Sequence, residues 1–200
     1  MSILFFDTET TGFAKDKVPL DHPSQPHLLQ LAAWLDDDGG NVRGAVNLLI
    51  AVGDIIIPDG AFAVHGISNQ VANDFGVSPL TTLGIFHGLV SRADTIVAHN
   101  IDFDMKIMKI AYTRLDKLAR FTADIQSKPQ FCTKVAATDL CKLPSPYGRG
   151  GYKWPTLDEA YRILVNAEGF SGAHDAMNDV MACRSLYYSL KQPAGGAPPA

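Results

Sequence analysis

The chain has 200 residues, about the size of one ordinary domain. Apolar residues make up 46% and charged residues 19%, a globular composition with ample core that excludes intrinsic disorder. With Lys+Arg 17 against Asp+Glu 21 the formal charge is −4, which excludes a polybasic protein that coats duplexes and leaves open an enzyme that handles nucleic acid locally.

The N-terminal MSILFF has no basic segment ahead of its apolar run, and the run ends at Phe6. No stretch approaches the roughly 18 apolar residues of a membrane span, so neither a signal peptide nor a membrane segment is expected. Residues 3–6 suit a short strand buried on both faces. Residues 28–35 and 45–50 are apolar runs around the cluster Asp36-Asp37-Asp38-Gly39-Gly40-Asn41, which predicts an antiparallel hairpin. Residues 54–58 read as a fourth extended piece or as the tail of the third strand.

Helical spacing then takes over. Residues 68–75 predict a short helix, and residues 79–92 a longer one with Ser78 as N-cap. Residues 95–98 form a short apolar strand. Ile101, Met105, Met108, Tyr112 and Leu115 step by 4, 3, 4 and 3, an amphipathic helix with Lys106, Lys109 and Arg114 on a solvated face. Residues 135–140 predict a short helix and residues 142–155 a loop rich in Pro and Gly. Thr156 caps a helix over residues 157–165, with Glu159 at the capping-box position. The last helix spans residues 175–190. Residues 193–200, PAGGAPPA, read as a disordered tail behind a single domain over residues 1–192. Strands followed by mixed strand and helix make an α/β or α+β domain. The three cysteines, Cys132, Cys141 and Cys183, form no CxxC pair, so reduced thiols in a cytoplasmic protein are expected.

Three places gather carboxylates. Asp7 and Glu9 follow the first strand, and residues i and i+2 of a strand point the same way. A hard cation such as Mg²⁺ is the usual reason to tolerate two such acids; an exposed turn with solvated acids is the competing reading. Asp102 and Asp104 open the amphipathic helix, where acids also serve simply to complement the dipole. Asp175 and Asp179 share a face of the last helix. His174 and Asp179 lie about 140° apart around a helix, so both reach one substrate only if His174 sits in the loop ahead of it. Ser171-Gly172 permits that, and a surface histidine is the alternative.

Together these segments resemble one known pattern. Asp7-Thr8-Glu9-Thr10-Thr11-Gly12 resembles the first motif of the DEDDh 3′–5′ exonucleases, the family of the proofreading epsilon subunit of bacterial DNA polymerase III. His99-Asn100-Ile101-Asp102-Phe103-Asp104 resembles the second motif and puts its acid at Asp104. His174-Asp175-Ala176-Met177-Asn178-Asp179 resembles the third, and its histidine marks the DEDDh branch. Phe62-Ala63-Val64-His65-Gly66-Ile67 resembles the family's nucleotide-pocket segment, and Thr156-Leu157-Asp158-Glu159-Ala160-Tyr161 its helix between the second and third motifs.

The resemblance implies an α/β, RNase H-like fold, a mixed five-stranded sheet flanked by helices. It implies two Mg²⁺ or Mn²⁺ ions held by Asp7, Glu9, Asp104 and Asp179, with His174 accepting the proton of the attacking water. Thr8 and Thr10 would meet the terminal 3′ nucleotide through backbone groups, His65 and Phe62 would flank its base or sugar, and Phe103 would act as a wedge; local packing is the alternative for the last three. Lys142, Arg149 and Lys153 with Tyr147, Tyr152 and Trp154 form a basic and aromatic loop, suited to single strands or, equally, to a loop with Trp154 packed inward. The expected function is metal-dependent release of nucleoside monophosphates from single-stranded or frayed 3′ DNA ends. The alternatives are an exoribonuclease, in which RNA takes the same site, and a proofreading subunit bound to a DNA polymerase. The short stretch after the last helix favours a stand-alone enzyme over the latter.

Overall fold

The computed structural model describes residues 1–146 and 151–191. Tyr147, Arg149 and the tail over residues 193–200 lie outside the described residues. A five-stranded sheet organises the chain, in the order β3-β2-β1-β4-β5. β1 (Ile3–Thr10), β2 (Leu28–Asp36) and β3 (Val42–Leu49) form an antiparallel meander, joined by the Asp/Gly/Asn turn at residues 37–41. β4 (Thr95–Ala98) pairs parallel with β1, and β5 (Gln130–Cys132) pairs parallel with β4. The expected mixed sheet is therefore present.

The helices are α1 (Asp59–His65), α2 (Asn69–Phe75), α3 (Pro79–Val90), α4 (Ile101–Arg114), α5 (Leu118–Phe121), α6 (Thr133–Cys141), α7 (Leu157–Leu164) and α8 (Ala176–Lys191), with a π-helical turn at Thr122–Gln126. The capping signals work as their chemistry predicts. Ser68 Oγ accepts from Val71 N–H at 3.1 Å, Ser78 Oγ accepts from Thr81 N–H at 3.1 Å, and Thr156 with Glu159 closes a full capping box.

β1 is the central strand, and its side-chain alternation organises the molecule. Leu4 and Phe6 face one core, with Leu31, Phe86 of α3, and Met108 and Tyr112 of α4. Ile3 and Phe5 face the other, with Ala176, Val180, Cys183 and Tyr187 of α8. Fully burying a large apolar side chain contributes about 1.5–3 kcal/mol, so α4 and α8 are firmly seated on opposite faces of β1. The acids they carry are thereby delivered to fixed places. Continuing the alternation sends Asp7 and Glu9 to the α8 face and Thr8 to the α4 face.

Several details differ from expectation. Residues 54–58 form no strand; β3 ends at Leu49, and the chain turns at Gly53 and Asp54 before entering α1. Lys106 and Arg114 are not merely solvated. Arg114 donates to the Gln25 and Pro26 carbonyls at 2.7 and 2.6 Å, and Lys106 pairs with Asp16, so both pin the loop that follows β1. The three cysteines are free, and Cys141 and Cys183 are buried. Among the described residues no helix is long and apolar enough to cross a membrane.

Candidate active site

Asp7 and Glu9 leave the C-terminal half of β1, Asp104 leaves the first turn of α4, and Asp179 leaves the first turn of α8. All four line one cleft of about 820 Å³, together with His174. Asp104 is 2% exposed and accepts a hydrogen bond of 2.7 Å from Thr8 Oγ1, as the alternation along β1 requires. Asp102, two residues earlier, is exposed and faces a separate hollow with Lys106 and Lys109.

The electrostatics are those of acids crowded away from water. Burial lifts Asp7 well above the usual carboxylate range, and repulsion from Asp104, Asp179, Glu9 and Asp175 adds to it. Burial, then Asp179 and Asp104, push Glu9 up to about 8. Burial pushes Asp104 up to about 7 against the opposing hydrogen bonds from Thr8. Burial pushes Asp179 up to about 6, with the His174 backbone N–H and ring opposing. Among the described residues, no lysine or arginine compensates these acids.

The third motif is a loop-to-helix junction. His174 lies in the loop before α8 at φ +67°, a left-handed conformation costly for a non-glycine residue, and its N–H donates to Asp179 Oδ2 at 3.2 Å. Gly172 takes φ +73°, a conformation other residues adopt only with strain, and a Cβ there would also displace the Asn178 amide, whose Nδ2 would lie 2.3 Å away. Asp175 caps α8. Its Oδ1 accepts from the Met177 and Asn178 N–H groups at 3.2 Å, which accounts for its place beside the cluster.

A divalent cation fits this arrangement. Asp179 Oδ1 is buried and has no hydrogen-bond partner among the described residues. Ligand atoms of Glu9, His174 and Asp179 lie within 4.8 Å of one another. Oxygen donors and unneutralised negative charge are what a hard cation takes.

Comparison with known proteins agrees with this geometry. The family model for the RNase_T exonucleases matches residues 4–187. The chain belongs to the RNase_T exonuclease family. Among solved structures, Escherichia coli Exonuclease I in complex with a dT13 oligonucleotide superposes with a TM-score of 0.71 at 23% identity, covering 93% of this chain and 40% of that one. The zinc-bound form of the E. coli Exonuclease I complex with single-stranded DNA gives 0.73 at 23% identity, over 95% and 40% of the two chains. A structure of apo Exonuclease I gives 0.70 at 21% identity, over 95% and 42%. At this identity the likeness establishes the fold, and the chain spans about 40% of the length of these structures. A search of the curated proteins finds no match.

Within this exonuclease-family cleft the other expected residues take distinct places. Thr8 and Thr10 line it, but their side chains are engaged, Thr8 with Asp104 and Thr10 Oγ1 with the Gly12 carbonyl at 2.6 Å. His65 lines it too; its Nδ1 accepts from Ile67 N–H at 3.0 Å, so in the neutral ring the proton sits on Nε2, which is buried and turned toward the Thr10 backbone. Phe62 is half exposed, and α1 faces the cleft through Gly60, Ala61, Val64 and His65 instead. Phe103 lines the cleft, packs on the main core and meets the exposed Phe13 edge-on at 6.1 Å.

Two residues escape sequence reasoning. Gln30 of β2 stands opposite Glu9, is 5% exposed, and ties β2 to the third motif. A polar residue inside the apolar run of residues 28–35 was its only signal. Lys134 of α6 reaches Asn100 Oδ1 and lies over the Trp154 ring. Nothing local to residue 134 marks it.

Proposed function

We propose that the chain is a divalent-metal-dependent 3′–5′ exonuclease that releases nucleoside monophosphates from single-stranded or frayed 3′ DNA ends, its catalytic domain occupying residues 1–192. The reading is carried by four carboxylates from three separate elements meeting in one cleft, with no lysine or arginine of the described residues compensating them. Family membership and the fold shared with E. coli Exonuclease I, a protein solved with dT13 and dA16 oligonucleotides, support it.

Asp7, Glu9, Asp104 and Asp179 would hold two ions, Mg²⁺ or Mn²⁺. Two bound divalent ions would stabilise the charge that develops on phosphorus and hold the attacking and leaving oxygens. The protein's own groups do the rest. His174, poised in the loop beside Asp179, accepts the proton of the attacking water, a role an imidazole nitrogen can fill as general base. Thr8 holds Asp104 in place. His65, which lines the cleft, would flank the base or sugar of the terminal nucleotide. Three unpaired thiols fit a reducing, cytoplasmic setting.

The test uses 5′-labelled single-stranded DNA, duplex DNA and RNA, each with Mg²⁺ and with EDTA. Stepwise shortening of single-stranded DNA from the 3′ end is expected, dependent on metal and lost in Asp7→Ala. Failure to shorten any of the three overturns the reading, and faster shortening of RNA moves the substrate to RNA.

A further inference from the structure

Trp154 is 65% exposed, unusual for the largest side chain, and it lines the same cleft as the acids. Its surroundings hold it in place. On one side, the Pro155 carbonyl hydrogen-bonds His99 Nε2 at 3.2 Å, and His99 Nδ1 contacts Thr133 Oγ1 at 3.0 Å. Burial depresses His99 to about 4, so this strut is uncharged at neutral pH. Thr156 then begins the capping box of α7. On the other side, Lys153 N–H donates to the Leu143 carbonyl at 3.0 Å and its ammonium pairs with Glu159. The ring is thus presented on a backbone fixed from both flanks. Lys134 Nζ lies 4.4 Å from the ring centroid and is held there by Asn100 Oδ1, at the start of the helix that carries Asp104.

We propose that Trp154 and Lys134 form a stacking platform for an unpaired nucleobase of the substrate strand, Trp154 taking the face of the base and Lys134 an adjoining phosphate. The proposal rests on the exonuclease reading of the cleft and adds the grip on the strand. An indole on a fixed backbone has only two side-chain torsions to lose on binding, every base offers a π-face to the side that Lys134 leaves open, and the ammonium over the other side supplies the one charge a phosphate needs. A paired base cannot stack in this way, so the platform selects unpaired ends. It also gives the cleft a positive group at its rim, where the acids would otherwise repel an incoming strand. A docking surface for another protein is the competing use of an exposed tryptophan.

The test measures binding of a dye-labelled single-stranded 12-mer by fluorescence anisotropy, in an Asp7→Asn background that suppresses turnover. Trp154→Ala should weaken binding by about tenfold, the scale of one base–aromatic stack, and Trp154→Phe should restore most of it. Lys134→Ala should weaken binding and reduce its salt dependence. An abasic nucleotide is then placed in turn at each of the three 3′ positions. At one position the abasic strand should lose affinity for the Trp154 protein and lose no more in Trp154→Ala. Unchanged binding by Trp154→Ala overturns the platform, as does a tryptophan loss that adds in full to the abasic loss at every position. If the unsubstituted chain shortens no strand while Trp154-dependent binding persists, the exonuclease reading falls and the platform stands.

Discussion

Gln30 Nε2 donates to Asp175 Oδ2 at 3.0 Å, across 145 residues of sequence. The same amide donates to Asn47 Oδ1 at 2.9 Å, and its Oε1 accepts from Ala176 N–H at 3.3 Å. One buried side chain on the strand opposite Glu9 therefore sets the height at which α8 begins, and with it His174 and Asp179. Gln30→Leu removes these bonds and leaves Asp175 and the Ala176 N–H short of partners, at a cost of about 1–3 kcal/mol. A fall in the thermal midpoint of about 2–4 °C per kcal/mol is expected in a chain of this size, with a drop in kcat of about tenfold. Equal stability and equal kcat in the variant would show that α8 is placed without Gln30.

The Thr8–Asp104 bond makes a similar prediction on the other face of β1. The Thr8 hydroxyl is the principal group that lowers the Asp104 pKa against burial. Thr8→Val keeps the shape, removes the donor and lets Asp104 rise further above about 7. Half-maximal activity should therefore need a higher Mg²⁺ concentration, and the acid limb of the pH–rate profile should move to higher pH. A profile and metal requirement identical to those of the parent would refute this role.

These two residues show where sequence reading stops. The acids, the cap of α7 and the order of β1 to β4 were legible because each rests on short-range signals, such as alternation, helical spacing and Thr-x-x-Glu. Helix geometry required His174 to lie in the loop if it and Asp179 were to reach one substrate, and His174 does lie ahead of α8, at φ +67°. β5 has three residues and α5 four, too few for any period to register, and so both went unread. Gln30, Lys134 and the exposure of Trp154 depend on contacts between distant segments. Their chemistry is ordinary in sequence and becomes specific only once β2 lies beside β1 and α6 lies beside the segment ahead of α7.

The crowded acids predict how the metal-free protein responds to pH. Glu9 and Asp104 are raised to about 8 and about 7, and Asp7 is also raised, so the folded chain holds protons that the unfolded chain has released. His27, His65, His87 and His99 are lowered by burial, which acts in the opposite sense while unfolded histidines still carry protons, but above about pH 7.5 they are neutral in both states. Between about pH 7.5 and 8.5 the raised acids dominate, and stability in EDTA must fall as pH rises. Saturating Mg²⁺ should flatten that slope, because the ions replace the protons. Thermal melts at the two pH values, with and without metal, check it. A metal-free midpoint that rises across this interval would contradict the raised acids.

Asp7→Asn separates stability from function. The substitution removes the carboxylate that burial and its four acidic neighbours oppose. In EDTA at pH 8 the variant should melt several degrees above the parent, while cleavage falls by about 10³-fold, the scale of losing one preorganised electrostatic group. A variant that melts lower than the parent in EDTA would mean that Asp7 is held by favourable partners rather than tolerated for a cation.

His174 gives the sharpest division between a strained backbone and a reacting side chain. Its φ of +67° costs a histidine energy that glycine does not spend, so His174→Gly should leave stability unchanged or raise it by up to about 1 kcal/mol. The same variant removes the proton acceptor, and the rate should drop by about 10²–10⁴-fold. The space left by the ring is open to solvent, because His174 is exposed, so added imidazole can enter it. Partial rescue by imidazole, rising with pH as its neutral form accumulates, is expected in His174→Gly. Asn tolerates the same backbone conformation and fills more of the space, so His174→Asn should be as stable, as slow and poorly rescued. A His174→Gly protein that keeps most of its rate would assign proton removal to another group in the cleft, and one that unfolds would show that the ring supports the loop instead of acting from it.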